Sequence, residues 1–291
     1  MTLYPQIKYE KYIREYVDIS CSTVIEGDSY ITLQKLPDNF VQCVVTSPPY
    51  WGLRDYGIDG QIGLEAQMQQ YINNLLSVFR EVRRVLLPTG VLWLNIGDGY
   101  TSGNRGYRAV DKKNPARAMS IRPETPSGLK PKDLLGIPWR LAFALQADGW
   151  YLRSDIIWNK PNAMPESVKD RPTRSHEYIF MFTKSEKYYY DSVSVREDNR
   201  NRRTVWNVNT SPFPEAHFAT FPPKLVIPCV LSSSKEKEFI LDPFFGSGTV
   251  GEVAQKNGRK FIGIELNPEY IAIAKKRLQP DITQFLKVVG E

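Results

Sequence analysis

A glycine-rich turn lies between a predicted strand and a predicted helix in the carboxyl-terminal part of the chain. The segment 241–251 contains a literal G-x-G-x-x-G pattern, and Glu265 follows it at the end of the next predicted strand. Glycines let a backbone approach a ligand closely, and a carboxylate about 20 residues further on accepts hydrogen bonds from a ribose diol. The spacing therefore indicates a site for an adenosine-containing cofactor.

The acid that precedes the glycines narrows the choice of cofactor. Asp242 would repel the pyrophosphate of a dinucleotide but would attract an ammonium group. S-adenosylmethionine, which carries an ammonium and a sulfonium, suits such an acid. A P-loop is excluded because no Gly-Lys-Ser/Thr follows the glycines. An NAD-dependent dehydrogenase would also explain the turn and Glu265 and stays open, as does a tight turn without a ligand.

A second segment, 46–51, reads Thr-Ser-Pro-Pro-Tyr-Trp and follows a buried predicted strand. In open α/β sheets, ligands bind at the carboxyl ends of strands. Two prolines fix the backbone and remove two N–H donors, which favours binding of an exocyclic base amine through acceptors. The Ser47 hydroxyl and the Pro48 carbonyl could accept the two protons of that amine, and the Tyr50 ring could stack against a base taken out of the duplex. An ordinary proline turn that caps the strand is the alternative.

Together the two segments resemble the amino-group DNA methyltransferases. Residues 47–50 are similar to the catalytic (D/N/S)PP(Y/F/W) motif of that family, and residues 242–249 are similar to its cofactor motif. The catalytic motif comes first, as in the β arrangement of the family. The resemblance spans almost the whole chain except residues 97–132 and the first twenty. It implies catalytic residues Ser47, Pro48, Pro49 and Tyr50.

The resemblance also implies the substrates and the cofactor. The methyl group would come from S-adenosylmethionine, without a metal, and its acceptor would be a flipped-out base of double-stranded DNA. A serine at position 47 is typical of members that methylate the N4 amine of cytosine, and the N6 amine of adenine is the alternative. A related methyltransferase acting on RNA or protein, and a non-catalytic DNA-binding protein on the same scaffold, also stay open.

Further residues are assigned by the same resemblance. Asp28 is similar to the carboxylate that contacts the cofactor adenine, Glu265 to the ribose-binding acid, and residues 217–224 to the segment that holds the methionine end. The cofactor-binding residues implied are Asp28, Thr46, Thr220, Lys224, Asp242, Phe244, Gly246, Ser247, Gly248, Thr249, Glu265 and Asn267.

Basic and aromatic residues supply candidate DNA contacts. Segment 97–132 is rich in Gly, Pro, Asn, Ser and basic residues, a composition typical of a phosphate-tracking loop or of a solvated surface loop. Segments 155–160 and 171–177 resemble the target-base side of the family. The expected DNA-binding residues are Trp51, Arg105, Arg108, Lys112, Lys113, Arg171, Arg174 and His176.

Composition sets wider limits. The chain has 291 residues, 42% of them hydrophobic, which is enough for one substantial core, and its net charge of +6 permits a polyanionic partner. Three cysteines without CxxC spacing and two histidines predict no zinc site. No apolar run is long enough to span a membrane, and the N-terminal residues are too polar for a signal peptide. We expect a cytoplasmic protein of bacterial or phage origin with no membrane partner; a cognate restriction endonuclease and a homodimer are left open.

The alternation of short apolar runs and amphipathic segments predicts an α/β, Rossmann-like S-adenosylmethionine-dependent methyltransferase fold in permuted motif order. We expect a mainly parallel seven-stranded sheet with an antiparallel edge, within one methyltransferase domain spanning 1–291 and a basic loop insertion at 97–132. The predicted strands are 23–26, 41–46, 91–96, 152–158, 177–183, 188–190, 238–242 and 261–264. The predicted helices are 64–87, 131–148, 223–231, 249–256 and 268–278.

One cysteine offers a competing interpretation. Pro228 and Cys229 superficially resemble the nucleophile segment of cytosine C5 methyltransferases, a chemistry that requires a reactive thiolate. Cys229, however, lies in an apolar helical pattern. The sequence therefore predicts a buried structural thiol.

Overall fold

The computed structural model describes residues 21–101, 123–210, 221–278 and 283–288. Its strands form a single sheet, with helices connecting them. The strands are β1 (Ser22–Glu26), β2 (Val41–Thr46), β3 (Leu86–Ile96), β4 (Tyr151–Asn159), β5 (His176–Thr183), β6 (Val205–Asn207), β7 (Phe239–Asp242), β8 (Lys260–Glu265) and β9 (Thr283–Lys287). The helices are α1 (Ser29–Leu33), α2 (Met68–Val85), α3 (Ile137–Ala147), α4 (Pro223–Ser233), α5 (Thr249–Lys256) and α6 (Pro268–Arg277).

The order of the strands across the sheet is β6-β4-β5-β3-β2-β7-β8-β1-β9. Strand β5 runs antiparallel to both of its neighbours, β3 and β4. The other neighbouring strands are parallel to each other. The prediction of a mainly parallel α/β sheet is therefore confirmed.

Two details of the predicted sheet are wrong. Within the described residues it has nine strands rather than seven, because β6 and β9 extend its two edges. Both are short edge strands with mostly exposed or half-buried side chains, so neither produces the apolar run that marks a buried strand. The antiparallel strand is also not at the edge: β5 is third from it, because β6 joins β4 on the outside.

Helices cover both faces of the sheet. Alternate residues of β2 illustrate this, since Val44 packs in a core with α2 and α3, whereas Cys43 and Val45 pack in a second core with α4, α5 and α6. The side-chain alternation of a strand explains why neighbouring residues belong to different cores. The result is a three-layer arrangement in which both faces of the central strands are buried.

Most predicted elements are present with shifted ends. Helix α2 begins at Met68 instead of 64, and β3 extends back to Leu86, with Gly90 facing Leu86 so closely that a Cβ there would lie 2.5 Å from it. Helix α3 begins only at Ile137. Residues 188–190 form no strand, although Tyr189 donates one backbone hydrogen bond to Thr89. Short elements with no periodic pattern, α1 and β6 among them, were not predicted.

The topology places two functional loops side by side. Strands β2 and β7 are neighbours in the centre of the sheet and run parallel, with Val44 opposite Leu241. Their carboxyl ends, which carry the Ser-Pro-Pro-Tyr segment and the glycine turn, therefore lie at the same edge. Tyr100 and Leu134, which lie on either side of residues 102–122, form an isolated antiparallel bridge. Across the described ranges, no helix is both long and apolar enough to cross a membrane.

Candidate active site

A cleft of about 910 Å³ lies at the carboxyl ends of the central strands. It joins the two segments that the sequence singled out. Its lining includes the predicted residues Asp28, Ser47, Pro48, Pro49, Tyr50, Arg174, His176, Asp242, Phe244, Gly246, Ser247, Thr249, Glu265 and Asn267. One continuous space can therefore hold a cofactor and a second reactant together.

The glycine turn depends on backbone conformations that favour glycine. Gly246 and Gly248 have φ angles of +52° and +85°, in the left-handed region. Gly251 has a different role: a Cβ there would lie 2.7 Å from the ring of Phe245, which is buried against Phe261. The first two glycines shape the turn, and the third lets α5 pack closely on it.

Asp242 is a buried carboxylate at the end of β7, with only 1% of its surface exposed. Its Oδ1 accepts hydrogen bonds from the Thr46 hydroxyl at 2.7 Å and from the Phe244 amide at 3.1 Å. Oδ2 receives no hydrogen bond from the described residues. Burial raises the pKa of Asp242 to about 7, because the charged form is poorly solvated. A cation in the cleft would restore the charged form.

Glu265 is the second buried acid of this half of the cleft. Its Oε2 accepts the Gly246 amide at 2.6 Å, and its Oε1 accepts the Asn267 amide at 2.8 Å. Burial raises the pKa of Glu265 to about 7. Asp28, which caps α1 by accepting the Ile31 amide at 2.9 Å, also lines the cleft, and burial raises its pKa as well. The cofactor half is thus rich in carboxylate acceptors.

The target half is built on the segment 47–50. The Tyr71 hydroxyl donates to the Pro49 carbonyl at 2.8 Å and so fixes the loop from behind. Within the described ranges, no hydrogen bond engages the Pro48 carbonyl, so it remains an acceptor at the cleft. The Tyr50 hydroxyl donates to Glu177 Oε2 at 2.7 Å. Burial and the neighbouring Glu177 raise the pKa of Tyr50 well above its usual value, so this hydroxyl stays protonated.

With this geometry in place, comparison with known proteins is decisive. The family model described as DNA methylase (N6_N4_Mtase) matches residues 41–276, most of the chain. The chain belongs to the N6/N4 DNA methylase family. Over 281 residues it is 66% identical to the type II methyltransferase M.Cfr9I of Citrobacter freundii, covering 95% of this chain and 94% of that protein.

Solved structures agree on the fold of this methylase. PvuII DNA methyltransferase (cytosine-N4-specific) matches with a TM-score of 0.70 and 21% identity, covering 92% of this chain and 95% of that one. TTHA0409 of Thermus thermophilus, in complex with S-adenosyl-L-methionine, matches with a TM-score of 0.66 and 25% identity, covering 93% and 100%. The predictions of the family, the methyltransferase fold and S-adenosylmethionine as cofactor are confirmed.

The residues of the methylase fit this cofactor. An ammonium and a sulfonium suit a cleft whose two buried acids, Asp242 and Glu265, both have raised pKa values. A ribose diol suits a carboxylate whose two oxygens are each fixed by a backbone amide, as in Glu265. The group would supply an electrophilic methyl carbon, and the protein would bind and orient it.

Cofactor binding by the methylase should therefore depend on pH. In the free protein, Asp242 and Glu265 have pKa values near 7. An ammonium at Asp242 and ribose hydroxyls that donate to Glu265 would favour the charged forms of the two acids. Affinity should consequently rise as the pH increases from 5.5 to 7.5, by at least about tenfold. The range stops there because the cofactor's own α-amino group titrates near pH 8.

Isothermal titration calorimetry across this range would measure the effect. Repeating each titration in buffers of different ionisation enthalpy should show proton release on binding below pH 7. The Glu265→Gln variant, which retains one of the two titrating acids, should have a shallower slope. An affinity that does not change with pH would contradict the assignment of the two acids to the cofactor.

Several predicted cofactor residues are placed differently. Thr46 is fully buried and contacts Asp242 rather than the cleft, and Gly248 serves as the N-cap of α5. Lys224 is exposed on the first turn of α4 and does not line the cleft. The reason is that α4 directs Leu225 and Val226 into the core, which leaves Lys224 on the solvent side. Thr220 lies outside the described residues.

The seven candidate DNA contacts other than Trp51 divide into three groups. Arg174 and His176 line the cleft. Arg171 does not: it pairs with Glu166 at 2.7 Å and lies over the Tyr100 ring at 3.9 Å. Arg105, Arg108, Lys112 and Lys113 lie outside the described residues.

Trp51 was predicted to contact DNA, but the structure places it in the hydrophobic core. Only 8% of its surface is exposed, and it belongs to the hydrophobic core beside α2. Its indole N–H donates to the Glu65 carbonyl at 2.7 Å. We therefore assign Trp51 to packing of the loop that follows Tyr50.

Asn95, Lys160 and Glu177 line the target half of the cleft, although none was named as a predicted site residue. Lys160 and Glu177 lie in the segments 155–160 and 171–177, which resemble the target-base side of the family, whereas Asn95 lies outside both. Asn95 is a buried amide in the otherwise apolar run 91–96 of β3, and that contrast could have identified it.

Cys229 is fully buried in α4, where its thiol donates to the Leu225 carbonyl, and burial raises its pKa. The prediction of a structural thiol is confirmed.

Proposed function

We propose that this DNA methyltransferase transfers the methyl group of S-adenosylmethionine to the exocyclic N4 amine of cytosine in a flipped-out base of duplex DNA. The observation that carries the proposal is the position of Ser47 and Pro48. Both line the same cleft as Asp242 and Glu265, at the ends of neighbouring strands. An amine held by the first pair would face a methyl group held by the second.

The chemistry follows from these acceptors. The Ser47 hydroxyl and the Pro48 carbonyl accept the two amine protons and aim the nitrogen lone pair at the methyl carbon. The cofactor, which Asp242 and Glu265 would hold, would supply an electrophilic methyl carbon to this nitrogen, and water would take up the proton that the amine then releases. Tyr50 supports one face of the base. Rate enhancement comes mainly from holding both reactants in line.

Cofactor contacts are part of the same proposal. Asp242 binds the ammonium, Glu265 the ribose and Asp28 the adenine, while Phe244 and the glycine turn enclose the cofactor. Arg174 and His176 face the DNA. Serine at position 47 favours cytosine by its resemblance to family members that act on that base.

Product analysis tests the proposal. The protein is incubated with S-adenosylmethionine and unmethylated genomic DNA, which is digested to nucleosides and analysed by mass spectrometry. We expect N4-methylcytosine. N6-methyladenine would overturn the base assignment within the family, and no methylated nucleoside despite cofactor binding would overturn DNA as the substrate. An Asp242→Ala sample controls for contaminating methyltransferases.

We also propose that the modification protects DNA from an endonuclease of the same specificity. Relatives named type II methyltransferases, among them M.SmaI of Serratia marcescens at 59% identity, support this role. Once the methylated site is mapped, plasmid DNA recovered from cells that produce the protein should resist a restriction enzyme that cuts that site. Cleavage at the level of unmodified plasmid would contradict the protective role.

A further inference from the structure

One carboxylate of the target half joins three elements of the fold. Glu177, in β5, accepts the Tyr50 hydroxyl at 2.7 Å and the Asn95 side-chain amide at 3.1 Å, both at Oε2. Its Oε1 accepts a hydrogen bond from the Lys160 ammonium, which follows β4. The side chains of Lys160 and Glu177 are each only 18% exposed. Glu177 is thus paired at both oxygens, well shielded from water, beside the base pocket.

Packing fixes this arrangement from behind. A Cβ at position 97, where the chain has glycine, would lie 2.7 Å from Tyr50 Cε2 and 3.4 Å from the carboxyl carbon of Glu177. Asn95 also donates to the Tyr178 carbonyl at 3.1 Å, which holds its amide in one orientation. Glycine at position 97 therefore lets the backbone after β3 lie close to Tyr50 and Glu177.

Lys160 is held equally firmly. Its ammonium lies 4.2 Å from the centre of the Trp158 ring, and its backbone N–H donates to the Ser175 carbonyl at 2.7 Å. An ammonium has three donors, and Glu177 uses one of them. Since Lys160 lines the cleft, its remaining donors are available to a base.

The pocket therefore offers acceptors at Ser47 and Pro48 and a donor at Lys160. The Watson–Crick edge of cytosine presents an amine donor followed by two acceptors, N3 and O2, and flipped bases are read on that edge. Ser47 and Pro48 match the amine, and the Lys160 ammonium matches an acceptor.

We propose that Lys160 donates a hydrogen bond to N3 of the target cytosine and that Glu177 is a positioning residue, which holds the Lys160 ammonium at the Watson–Crick edge of that base and the Tyr50 ring against one of its faces. This inference rests on the proposed function and names the residues that bind and orient its target base.

An analogue of the target base tests the contact. Methyl transfer is measured in single turnovers on a duplex containing the mapped site, with the target cytosine either unmodified or replaced by 3-deazacytosine, which has a C–H in place of N3. For the wild type we expect the analogue to slow transfer by about 10- to 100-fold. For Lys160→Met the penalty of the same replacement should be at least about tenfold smaller than for the wild type, because the donor is already missing. The intrinsic reactivity of the analogue is common to both proteins and cancels from the ratio.

The positioning role of Glu177 has a separate readout. Glu177→Gln should lower the single-turnover rate by about 10- to 100-fold while leaving cofactor affinity within about twofold. The same substitution in a Tyr50→Phe background should cost less, because one of its partners is then absent. Glu81→Gln is the matched control. The Glu81 side chain is 19% exposed, close to the 18% of Glu177, and it is likewise paired with a cation, in this case Arg84. Glu81 lies on α2, away from the cleft.

The outcomes separate this inference from the proposed function. Absence of N4-methylcytosine with the wild type would refute the proposed function itself. If that product forms but Lys160→Met suffers the full analogue penalty, Lys160 does not contact N3. If Glu177→Gln behaves like Glu81→Gln, or loses rate and cofactor affinity in equal measure, Glu177 does not position the target side.

Discussion

Asp242→Asn is expected to abolish cofactor binding and, in the same protein, to increase stability at pH 8. The carboxylate is buried, and its pKa is raised to about 7. Asparagine keeps an oxygen for the Thr46 hydroxyl and the Phe244 amide, which both bond to Oδ1. It carries no charge to attract the cofactor ammonium, so affinity should fall by at least about 100-fold.

The stability effect has a defined pH range. Because the folded-state pKa lies above the ordinary value, the folded protein retains a proton that the unfolded chain releases between about pH 4 and pH 7. Asp242 therefore makes the free wild type progressively less stable as the pH rises through that range. At pH 8 the buried charge of Asp242 should lower the free energy of unfolding of the wild type by on the order of 2–4 kcal/mol, and Asp242→Asn should be free of this loss. Near pH 4 the free energies of unfolding of the two proteins should differ little.

Urea unfolding at pH 8 and pH 4.5, together with calorimetric titration of the cofactor, measures both effects. Asp38→Asn serves as the control, because the Asp38 side chain is 67% exposed and its loss should change stability by less than about 0.5 kcal/mol. Retained cofactor binding, or a variant less stable than the wild type at pH 8, would show that Asp242 is a structural acid.

Tyr50→Ala should reduce turnover by about 100- to 1000-fold while leaving cofactor affinity within about twofold. The substitution removes a ring whose stacking against the target base would contribute about 1–3 kcal/mol. It also removes the hydroxyl through which Glu177 orients that ring. Asp242 and Glu265, which would hold the cofactor, have their hydrogen bonds with residues other than Tyr50.

Single-turnover methyl transfer and cofactor titration on the same preparation separate the two quantities. Tyr50→Phe keeps the ring and loses only the hydroxyl, so its rate should lie between those of the wild type and Tyr50→Ala. Equal losses of rate and cofactor affinity in Tyr50→Ala would instead indicate general damage to the cleft.

The sequence predicted the parts of the site that occupy a short stretch of chain. The glycine turn, Asp242 and Glu265 follow the spacing of a strand, a turn, a helix and a second strand, and the structure brings all of them to one cleft. The prolines after β2 were likewise recognisable, because consecutive prolines at a strand end are a strong local signal.

What the sequence could not predict depends on distant partners. Glu177 acquires its role from a loop after β2, a strand residue in β3 and a lysine after β4, and no local pattern records that meeting. Trp51 and Lys224 were misplaced for the opposite reason. Their residue types suggest contact with a ligand, but packing turns the first into the core and the second toward solvent.

The hydrogen bond between Thr46 and Asp242 joins residues 196 positions apart in the chain. During synthesis on the ribosome, β2 therefore cannot pair with β7, its neighbour at the centre of the sheet, until most of the chain has emerged. Pairings of such long range are slow to form, because a large loop must close before any contact rewards it. We expect a nascent chain that stops before β7 to have no methyl-transfer activity, although its catalytic loop is already complete. The enzyme should become active only late in its own synthesis.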